Sequence, residues 1–315
     1  MIGRIVEIAG DSRYLSLDRG FLVISHRKEE LGRIPIDDVA ALIGNAHGLS
    51  YSNNLLVALA ERGAPFVLCG AHHRPVGLLW PVEGHHRQAA RMDAQLRARL
   101  PLRKRLWKQV TQAKIGMQAA VIGLFGGPEP PLRRLASHVR SGDPANVEGR
   151  AARLYWGLLF GNTFRRDHDG DGINGLLNYG YTVLRATVAR QLMAAGLHPG
   201  IPLHHANEGN PMRLVDDMME PFRPLVDASV RRLAEAGSTD VDSYSKRALA
   251  RLPVRSMLTE RGTSPVALVI QRMAISLAQI YESPKSTLEL PPVTRAALAS
   301  LWEEPHVSQD DEAGG

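Results

Sequence analysis

The sequence predicts an α+β protein in which a small β-rich domain precedes a larger all-α domain. Short strand-like segments, among them GRIVEI, RYLSLD and FLVISH, fill the chain up to about residue 80 and are separated by Gly, Asp and Ser. Beyond Pro81 the hydrophobic period changes to 3.6 residues and stays there. We therefore expect an N-terminal domain at residues 1–83 and a helical domain at 84–303. The polar, acidic segment 304–315 is expected to be a disordered tail.

Within the first domain one helix interrupts the strands. The segment YSNNLLVALAERGAP has apolar residues at helical spacing, with Ser50 or Ser52 as the candidate N-cap and Gly63 as the C-terminal signal. Strand patterns return in FVLCG and VGLLWPV. The later amphipathic helix candidates are HRQAARMDAQLRARL, RLWKQVTQAKIGMQAAVIGLFG, PANVEGRAARLYWGLLFG, INGLLNYGYTVLRATVARQLMAAG and VALVIQRMAISLAQIYE.

The composition indicates a folded protein of the cytoplasm. Apolar residues make up 44% and charged residues 22% of the 315 residues, which is ordinary for globular proteins. A single cysteine, Cys69, excludes an intramolecular disulfide and fits a reducing compartment. No stretch approaches the roughly 20 apolar residues that a bilayer span needs, and the N-terminus has no signal-peptide core. We expect no membrane association.

The positive charge is concentrated in one segment. Residues 81–140 carry twelve basic and three acidic side chains, whereas the whole chain has a net charge of +6. A basic segment of this kind is typical of a surface that binds a polyanion, most simply nucleic acid. The alternative is a solvated helix face, but few acids are interleaved to form the ion pairs that such a face usually carries.

Several short motifs match a functional pattern incompletely. DHDGDGINGLLN has Asp167, Asp169 and Asp171 at the first EF-hand positions, but position 12 is Asn178 where calcium needs a bidentate Glu. The same segment has G-x-G-x-x-G spacing without a preceding strand. The chain has no phosphate-binding loop, H-E-x-x-H or G-x-S-x-G motif. The pairs His72-His73 and His85-His86 are interpreted as polar loop residues.

Glu148 is the first carboxylate that periodicity places unusually. In SGDPANVEGRAARLYWGLLF, Asp143 is a natural N-cap with Pro144 at the first helical position, so Glu148 falls in the second turn. Steps of four, three and four residues from Glu148 reach Ala152, Tyr155 and Leu159. A carboxylate in an apolar row has to be paired, protonated or bound to a cation. A boundary glutamate that pairs with an arginine fits the pattern equally well.

The second placement is LHHANEGNPMRLVDDMMEPFRP, residues 203–224. Its Leu/Met/Phe face puts Asp216, Asp217 and Glu220 together on the opposite side, and periodicity alone favours a solvated face. Pro221, however, must distort the helix at the acids, and the histidines of GIPLHHAN precede them. One His combined with carboxylates from separate segments would suit Mg²⁺ or Mn²⁺ better than Zn²⁺. The aromatic residues Trp107, Tyr155 and Trp156 are predicted to lie in the core.

The chain resembles the CRISPR-associated spacer-integration endonuclease family, the catalytic subunit of CRISPR adaptation. The resemblance rests on LWKQVTQAKIGMQA, NVEGRAARLYW, NGLLNYGYTVL, GLHPGIPLHH and RLVDDMMEPFRPLVD in this order, and it covers nearly the whole chain. The segment DDMMEPFRP is most similar to the version found beside single-protein RNA-guided effector nucleases. The resemblance implies an N-terminal β-sandwich, a C-terminal all-helical domain and a homodimer formed through the β-domain. It also implies a small companion CRISPR-associated protein.

The resemblance further implies the site and its chemistry. Glu148, His205 and Glu220 would hold a divalent metal, Mg²⁺ or Mn²⁺, with Asp217 as an auxiliary ligand. The twelve-residue step from His205 to Asp217 matches the family pattern. The reaction would be transesterification, in which the 3'-hydroxyl of a protospacer duplex attacks the repeat array. His205 would be a metal ligand or a general base.

The basic segment supplies the expected contacts to double-stranded DNA of the protospacer and repeat. The predicted phosphate-binding residues are Arg87, Arg91, Arg103, Lys104, Arg105, Lys108 and Lys114. The competing hypothesis is a non-catalytic architectural DNA-binding protein, in which the acids are merely solvated. Because both hypotheses predict salt-sensitive DNA binding, only strand transfer separates them.

Overall fold

The computed structural model describes residues 4–70, 75–79, 81–82 and 84–303. The predicted disordered tail, residues 304–315, and the pair His72-His73 lie outside the described residues. Within these ranges the chain forms a β-rich N-terminal part and a larger helical part, which confirms the expected fold class.

The N-terminal part consists of two four-stranded sheets and one helix. Its strands are β1 (Arg4–Ile8), β2 (Tyr14–Asp18), β3 (Phe21–His26), β4 (Glu29–Pro35), β5 (Val39–Gly44), β6 (Ser50–Tyr51), β7 (Phe66–Cys69) and β8 (Pro75–Leu79). One sheet has the order β1-β5-β7-β8 and the other β4-β3-β2-β6. Leu15 and Leu42, one from each sheet, share a core with Leu55 of helix α1 (Asn53–Glu61).

The local signals of α1 are confirmed, but three strands were missed, namely β4, β5 and the two-residue β6. The Ser52 side chain accepts a hydrogen bond from the Leu55 amide at 3.3 Å, and Gly63 has a φ of +62°. Strand β5 lies between the parallel neighbours β1 and β7 and is largely buried along its length, so VAALIG shows no alternation. The edge strand β4 is largely exposed and polar, which leaves its sequence without a hydrophobic period.

The second part is built from ten helices in the described chain and one hairpin. The helices are α2 (Gln88–Arg97), α3 (Leu100–Leu124), α4 (Pro130–His138), α5 (Val147–Phe160), α6 (Ile173–Ala194), α7 (Arg213–Met219), α8 (Arg223–Glu235), α9 (Ser243–Ala250), α10 (Val266–Glu282) and α11 (Arg295–Ala299). The antiparallel strands β9 (Ser256–Thr259) and β10 (Gly262–Pro265) form the hairpin, an addition to the all-helical expectation. In the residues that the structure describes, no helix is long and apolar enough to cross a membrane.

Helix α3 is the central element of the helical part. From Leu106 to Gly123 most of its side chains are buried, because α4, α5, α7, α8 and α11 all pack against it. A helix that is surrounded on most sides has no wide polar face, so the polar residues within it have to meet partners from neighbouring elements. This burial brings α5 and the α7–α8 junction to the same face of α3.

The two parts pack directly on each other. Ala41, Ile43 and Val67 of the sheets belong to the hydrophobic core of the helical part. Across the same junction, Glu7 accepts hydrogen bonds from the Tyr179 hydroxyl at 2.7 Å and from Lys246 Nζ at 3.1 Å. The junction therefore combines apolar burial with a satisfied carboxylate.

Candidate active site

Glu148 and Glu220, from separate elements, converge on the ammonium group of Lys114. Lys114 Nζ lies 2.5 Å from Glu148 Oε1 and 2.5 Å from Glu220 Oε2. The Lys114 side chain is only 13% exposed, so these charges interact with little screening by water. Burial lowers the pKa of Lys114, but the charges of Glu220 and Glu148 outweigh this effect and raise it. The raised pKa keeps Lys114 positively charged, so the site contains an internal cation.

Glu148 lies in the first turn of α5, three residues nearer the helix start than predicted. The N-cap is Asn146, whose side chain accepts a hydrogen bond from the Gly149 amide at 3.1 Å. Asp143 precedes the helix and accepts hydrogen bonds from the Val147 and Glu148 amides, each at 2.9 Å. The side chains of Asp143 and Asn146 therefore accept hydrogen bonds from three amides of the first turn and fix the backbone of Glu148.

Glu220 lies in a 3₁₀ turn between α7 and α8, which confirms the predicted distortion at Pro221. The turn covers Glu220–Phe222. Its carboxylate is buried and accepts a hydrogen bond from Arg223 Nε at 2.9 Å. Burial favours the protonated acid, but the charges of Arg223 and Lys114 dominate and hold the pKa of Glu220 at about 2. The Lys114 contact to Oε2 is an ion pair without hydrogen-bond geometry.

Asp217 holds His205 rather than facing the carboxylates. Its oxygens accept hydrogen bonds from the Leu203, His204 and His205 amides at 2.6, 3.1 and 3.2 Å, and Oδ1 lies 2.7 Å from His205 Nδ1. Four donors fill the roughly four lone-pair sites of a carboxylate, and the residue is fully buried. Asp217 was predicted as an auxiliary metal ligand, but these four contacts leave its carboxylate no free lone pair. Its geometry is that of a residue that positions His205.

This arrangement defines the state of the His205 ring. The Asp217 carboxylate can only accept a hydrogen bond here, so His205 Nδ1 carries the proton and donates it. In the neutral ring, Nε2 then carries the lone pair. The hydrogen bond to Asp217 raises the pKa of His205, while burial opposes the shift. A histidine oriented by a buried carboxylate is the usual arrangement for a metal ligand or a general base.

The adjacent histidine has a different environment. The His204 ring stacks on Trp107 with ring centres 4.3 Å apart and planes 4° from parallel, and Trp107 also meets His205 edge-on at 5.7 Å. Trp107 is buried, as predicted for a core residue, and Tyr155 is buried as well, whereas Trp156 is half-buried. Helix α3 therefore contacts the loop that carries His204 and His205, here called the histidine loop, through Trp107. Two turns later, Lys114 of the same helix contacts the carboxylates of Glu148 and Glu220.

The interpretation of the acids as a solvated helix face is wrong. Asp217 and Glu220 are buried, and Asp216 forms a two-oxygen pair with Arg185 at 2.8 and 2.9 Å. Asn210 Nδ2 also donates to Asp216 at 2.6 Å. The alternative of Glu148 as a paired boundary residue is confirmed except for its partner, which is Lys114 and not an arginine. Asp216, Asp217 and Glu220 thus have different partners, although they are close together in sequence.

Sequence reasoning missed a buried carboxyl beneath the site. Asp227 of α8 is buried and accepts hydrogen bonds from the hydroxyl groups of Tyr155, at 3.0 Å, and Tyr181. Burial raises the pKa of Asp227 to about 7, although both tyrosines and the charges of Arg223 and Lys114 oppose the shift. The Arg223 guanidinium lies 4.8 Å from the centre of the Tyr181 ring. The sequence held one signal for this buried carboxyl, namely that Asp227 directly follows the apolar residues 224–226 (PLV).

The predicted phosphate-binding residues occupy different environments. Arg91 is largely buried and bonded to Glu282 and the Ala195 carbonyl, at 3.0 and 2.9 Å, and Lys114 belongs to the carboxylate site. For these two, a surface contact to DNA is a wrong assignment. Arg87 also pairs with Glu282 but remains half exposed. The other predicted residues are exposed or half-exposed on α3, namely Arg103, Lys104, Arg105 and Lys108.

The donor set fits a hard divalent cation, although it is not assembled as a cage. Two carboxylates already meet at one cationic atom, and His205 Nε2 supplies a nitrogen donor. Glu220 Oε2 is buried without a hydrogen bond. In the described ranges, no three His, Cys, Asp or Glu side chains are grouped closely enough to hold a metal ion. The ammonium of Lys114 lies between the two glutamates.

Comparisons with known proteins agree with this architecture. Residues 6–267 match the family described as CRISPR associated protein Cas1. The CRISPR-associated endonuclease Cas1 of Neisseria meningitidis serogroup C (strain 8013) is 36% identical, with 89% of this chain and 93% of that protein covered. The CRISPR-associated endonuclease Cas1 1 of Pyrobaculum aerophilum is 31% identical, with 85% and 93% covered.

Solved structures show the same fold. A casposase bound to integration product matches with a TM-score of 0.75 at 20% identity, covering 98% of this chain and 97% of that one. A CAS1 protein from Thermotoga maritima matches with a TM-score of 0.72 at 15% identity, covering 90% and 98%. With most of its length matched by the family and by relatives above 30% identity, the chain belongs to the CRISPR-associated Cas1 family.

Proposed function

We propose that this chain is a metal-dependent DNA endonuclease and integrase of CRISPR adaptive immunity, which inserts protospacer DNA into the repeat array. The observation that carries the proposal is the convergence of Glu148 and Glu220 on one buried cation, next to His205 with its free Nε2. The names of the curated relatives, CRISPR-associated endonucleases, and the integration product bound to the similar casposase support the same class of reaction.

Glu148, His205 and Glu220 would hold Mg²⁺ or Mn²⁺, and Asp217 would fix the His205 ring. When bound, the ion would polarise the scissile phosphate and stabilise the negative charge that develops on its oxygens. Glu220 stays anionic because the charges of Arg223 and Lys114 lower its pKa. Since both glutamates sit on backbone that is fixed by caps or by Pro221, little rearrangement of the main chain is needed.

His205 has one nitrogen available for either proposed role. As a ligand it would use the Nε2 lone pair, and as a general base it would take a proton from the attacking 3'-hydroxyl at the same atom. The hydrogen bond to Asp217 favours both roles, because it fixes the tautomer and increases the basicity of the ring. The reaction exchanges one phosphodiester for another and needs no nucleotide hydrolysis.

Exposed basic residues of α3 would contact phosphates of the duplex DNA without reading its bases. Assembly would involve a homodimer through the β-domain and a small companion protein. The Cas6-RT-Cas1–Cas2 complex among the similar structures supports a companion of the Cas2 kind. Exposed apolar side chains on the N-terminal part support such an interface, among them Leu31, Val57 and Val76.

Strand transfer of a short duplex into a repeat-containing target tests the proposal. Glu148→Gln and His205→Ala should each lower the rate at least 100-fold in Mg²⁺ or Mn²⁺, with duplex affinity within about threefold of wild type. Glu208→Gln is the matched control, because Glu208 is exposed in the histidine loop and has no ion pair in the described chain. Full activity of both site variants would favour the architectural DNA-binding alternative.

A further inference from the structure

We infer that Lys114 is a resident cation of the site, which neutralises Glu148 and Glu220 in the metal-free protein and has to leave for a divalent ion to bind. This inference rests on the proposed metal site and specifies how it is controlled. Lys114 Nζ lies 2.5 Å from an oxygen of each glutamate, so it occupies the space between the two carboxylates that an ion bound to both would need.

The metal-free protein requires a cation at this position. Glu220 is 4% exposed, and two carboxylates that share one small space repel each other. A buried anion without a partner is strongly unfavourable, so a free pair of glutamates would destabilise the fold or force one of them to bind a proton. Lys114 supplies the missing charge from the same chain, at a point fixed by the central helix.

The same contacts oppose metal binding. A divalent ion cannot occupy the space between the glutamates while the ammonium is there. The observed free energy of metal binding is therefore weaker than that of the donors alone by the free energy needed to release Lys114. Once released, the ammonium would remain beside the site, where the negative phosphate of a DNA substrate would attract it.

Helix α3 offers polar groups that could receive the released ammonium. On the face that carries Lys114, buried atoms without a hydrogen-bond partner in the described chain include Arg103 Nε, Trp107 Nε1, Thr111 Oγ1 and Gln118 Oε1. Thr111 precedes Lys114 by three residues and Gln118 follows it by four, so both are its neighbours on the helix surface. Each has an acceptor oxygen that is buried and unsatisfied, which is uncommon and calls for a partner.

The experiment measures Mn²⁺ binding to the full chain without DNA, by the electron paramagnetic resonance signal of free Mn²⁺ and by the Mn²⁺-induced rise in melting temperature. Lys114→Met should bind Mn²⁺ at least tenfold more tightly than wild type. Its melting temperature should be lower without metal, and its rise on adding Mn²⁺ should be larger. Lys108→Met is the matched control on the same helix, and it should change the dissociation constant by less than threefold.

Lys114→Arg keeps a cation at the site and is the second variant if Lys114→Met does not fold. We expect its Mn²⁺ affinity to be no higher than that of wild type. Gln118→Leu should weaken Mn²⁺ binding, because it removes one acceptor for the released ammonium; unchanged affinity would exclude Gln118 from this role.

Glu148→Gln separates the two proposals. If it abolishes Mn²⁺ binding while Lys114→Met binds no more tightly than Lys108→Met, the metal site stands and the resident-cation inference is overturned. If Mn²⁺ binds equally to wild type and Glu148→Gln, the metal site itself fails, and the role of Lys114 fails with it.

Discussion

Asp217 Oδ1 lies 2.7 Å from His205 Nδ1, and the same carboxylate accepts the backbone amides of Leu203, His204 and His205. One buried side chain thus sets both the path of the histidine loop and the tautomer of the catalytic candidate. The loop has no regular secondary structure of its own at these residues, so Asp217 replaces the hydrogen bonds that a helix or sheet would supply.

Asp217→Asn tests this positioning role. The amide would turn an NH₂ group toward backbone N–H donors and could not accept all four hydrogen bonds, so stability should fall by about 1–3 kcal/mol. Metal affinity should weaken about 10- to 100-fold, as for other changes behind a metal-binding histidine. Mn²⁺ titration and chemical denaturation measure the two effects.

Asp216→Asn is the control for this variant. Asp216 is adjacent in sequence and similarly well paired, but its partners are Arg185 and Asn210. We expect a loss of stability with nearly unchanged Mn²⁺ affinity. Equal losses of metal affinity in both variants would show that Asp217 acts on the site only through general stability.

Features that depend on residues close together in sequence could be predicted, whereas contacts between residues far apart in sequence could not. Helix α10 coincides with the predicted segment VALVIQRMAISLAQIYE. Its apolar face and its ends are determined by residues close together in sequence, so the local pattern was sufficient to predict it. The start of α5 was predicted three residues early, since Asp143 and Asn146 are both suitable caps and both in fact bind first-turn amides. Local sequence could not choose between them.

The partners of the site residues could not be predicted in the same way. Lys114 was assigned to a DNA surface because the basic segment around it is dense, and nothing in a 3.6-residue period tells which buried carboxylate a lysine meets. Asp227 was missed because its two tyrosine partners, Tyr155 and Tyr181, come from other helices. Such contacts depend on how α3, α5, α6 and α8 pack, which only the fold specifies.

Asp227 predicts a pH dependence of stability. Its pKa is raised from 3.8 to about 7 in the fold, so the buried carboxyl keeps a proton that the unfolded chain releases. The stabilisation is therefore complete below about pH 4, declines as the pH rises to about 7, and is constant above that. By linkage, the change is at most about 4 kcal/mol.

Urea denaturation of wild type and Asp227→Asn between pH 4 and 8 measures this effect. The variant has no titrating group at this position, so wild type should lose stability relative to it across that window. Tyr155→Phe removes one hydrogen-bond donor to the carboxylate and should move the loss to higher pH. A difference between wild type and Asp227→Asn that is independent of pH would mean that Asp227 is ionised throughout.

Trp107 predicts a coupling between the core and the histidine loop. Its ring is buried, and His204 lies parallel to it at 4.3 Å. Trp107→Leu should cost about 3 kcal/mol or more, since it leaves a cavity and removes the stacking surface. Hydrogen exchange of the His204 and His205 amides should accelerate more in Trp107→Leu than in Tyr155→Phe, which changes a buried ring elsewhere. Unchanged protection of these amides would show that Asp217 alone holds the loop.

The basic residues on α3 predict how DNA binding responds to salt. Lys104 and Lys108 pair with no carboxylate in the described chain, so their charges are available to phosphates, whereas Arg91 is bonded to Glu282 at 3.0 Å. Each phosphate contact that is lost should reduce the slope of log affinity against log salt concentration by about 0.9. The double variant Lys104→Gln/Lys108→Gln should therefore flatten the slope by up to about 1.8, measured by fluorescence anisotropy of a labelled duplex.

Arg91→Gln is the control for this measurement, and it should lower the free energy of unfolding and leave the salt slope unchanged. If the slope falls for Arg91→Gln and not for the double variant, the DNA-binding surface lies on the α2 side, near Glu282, and not along α3.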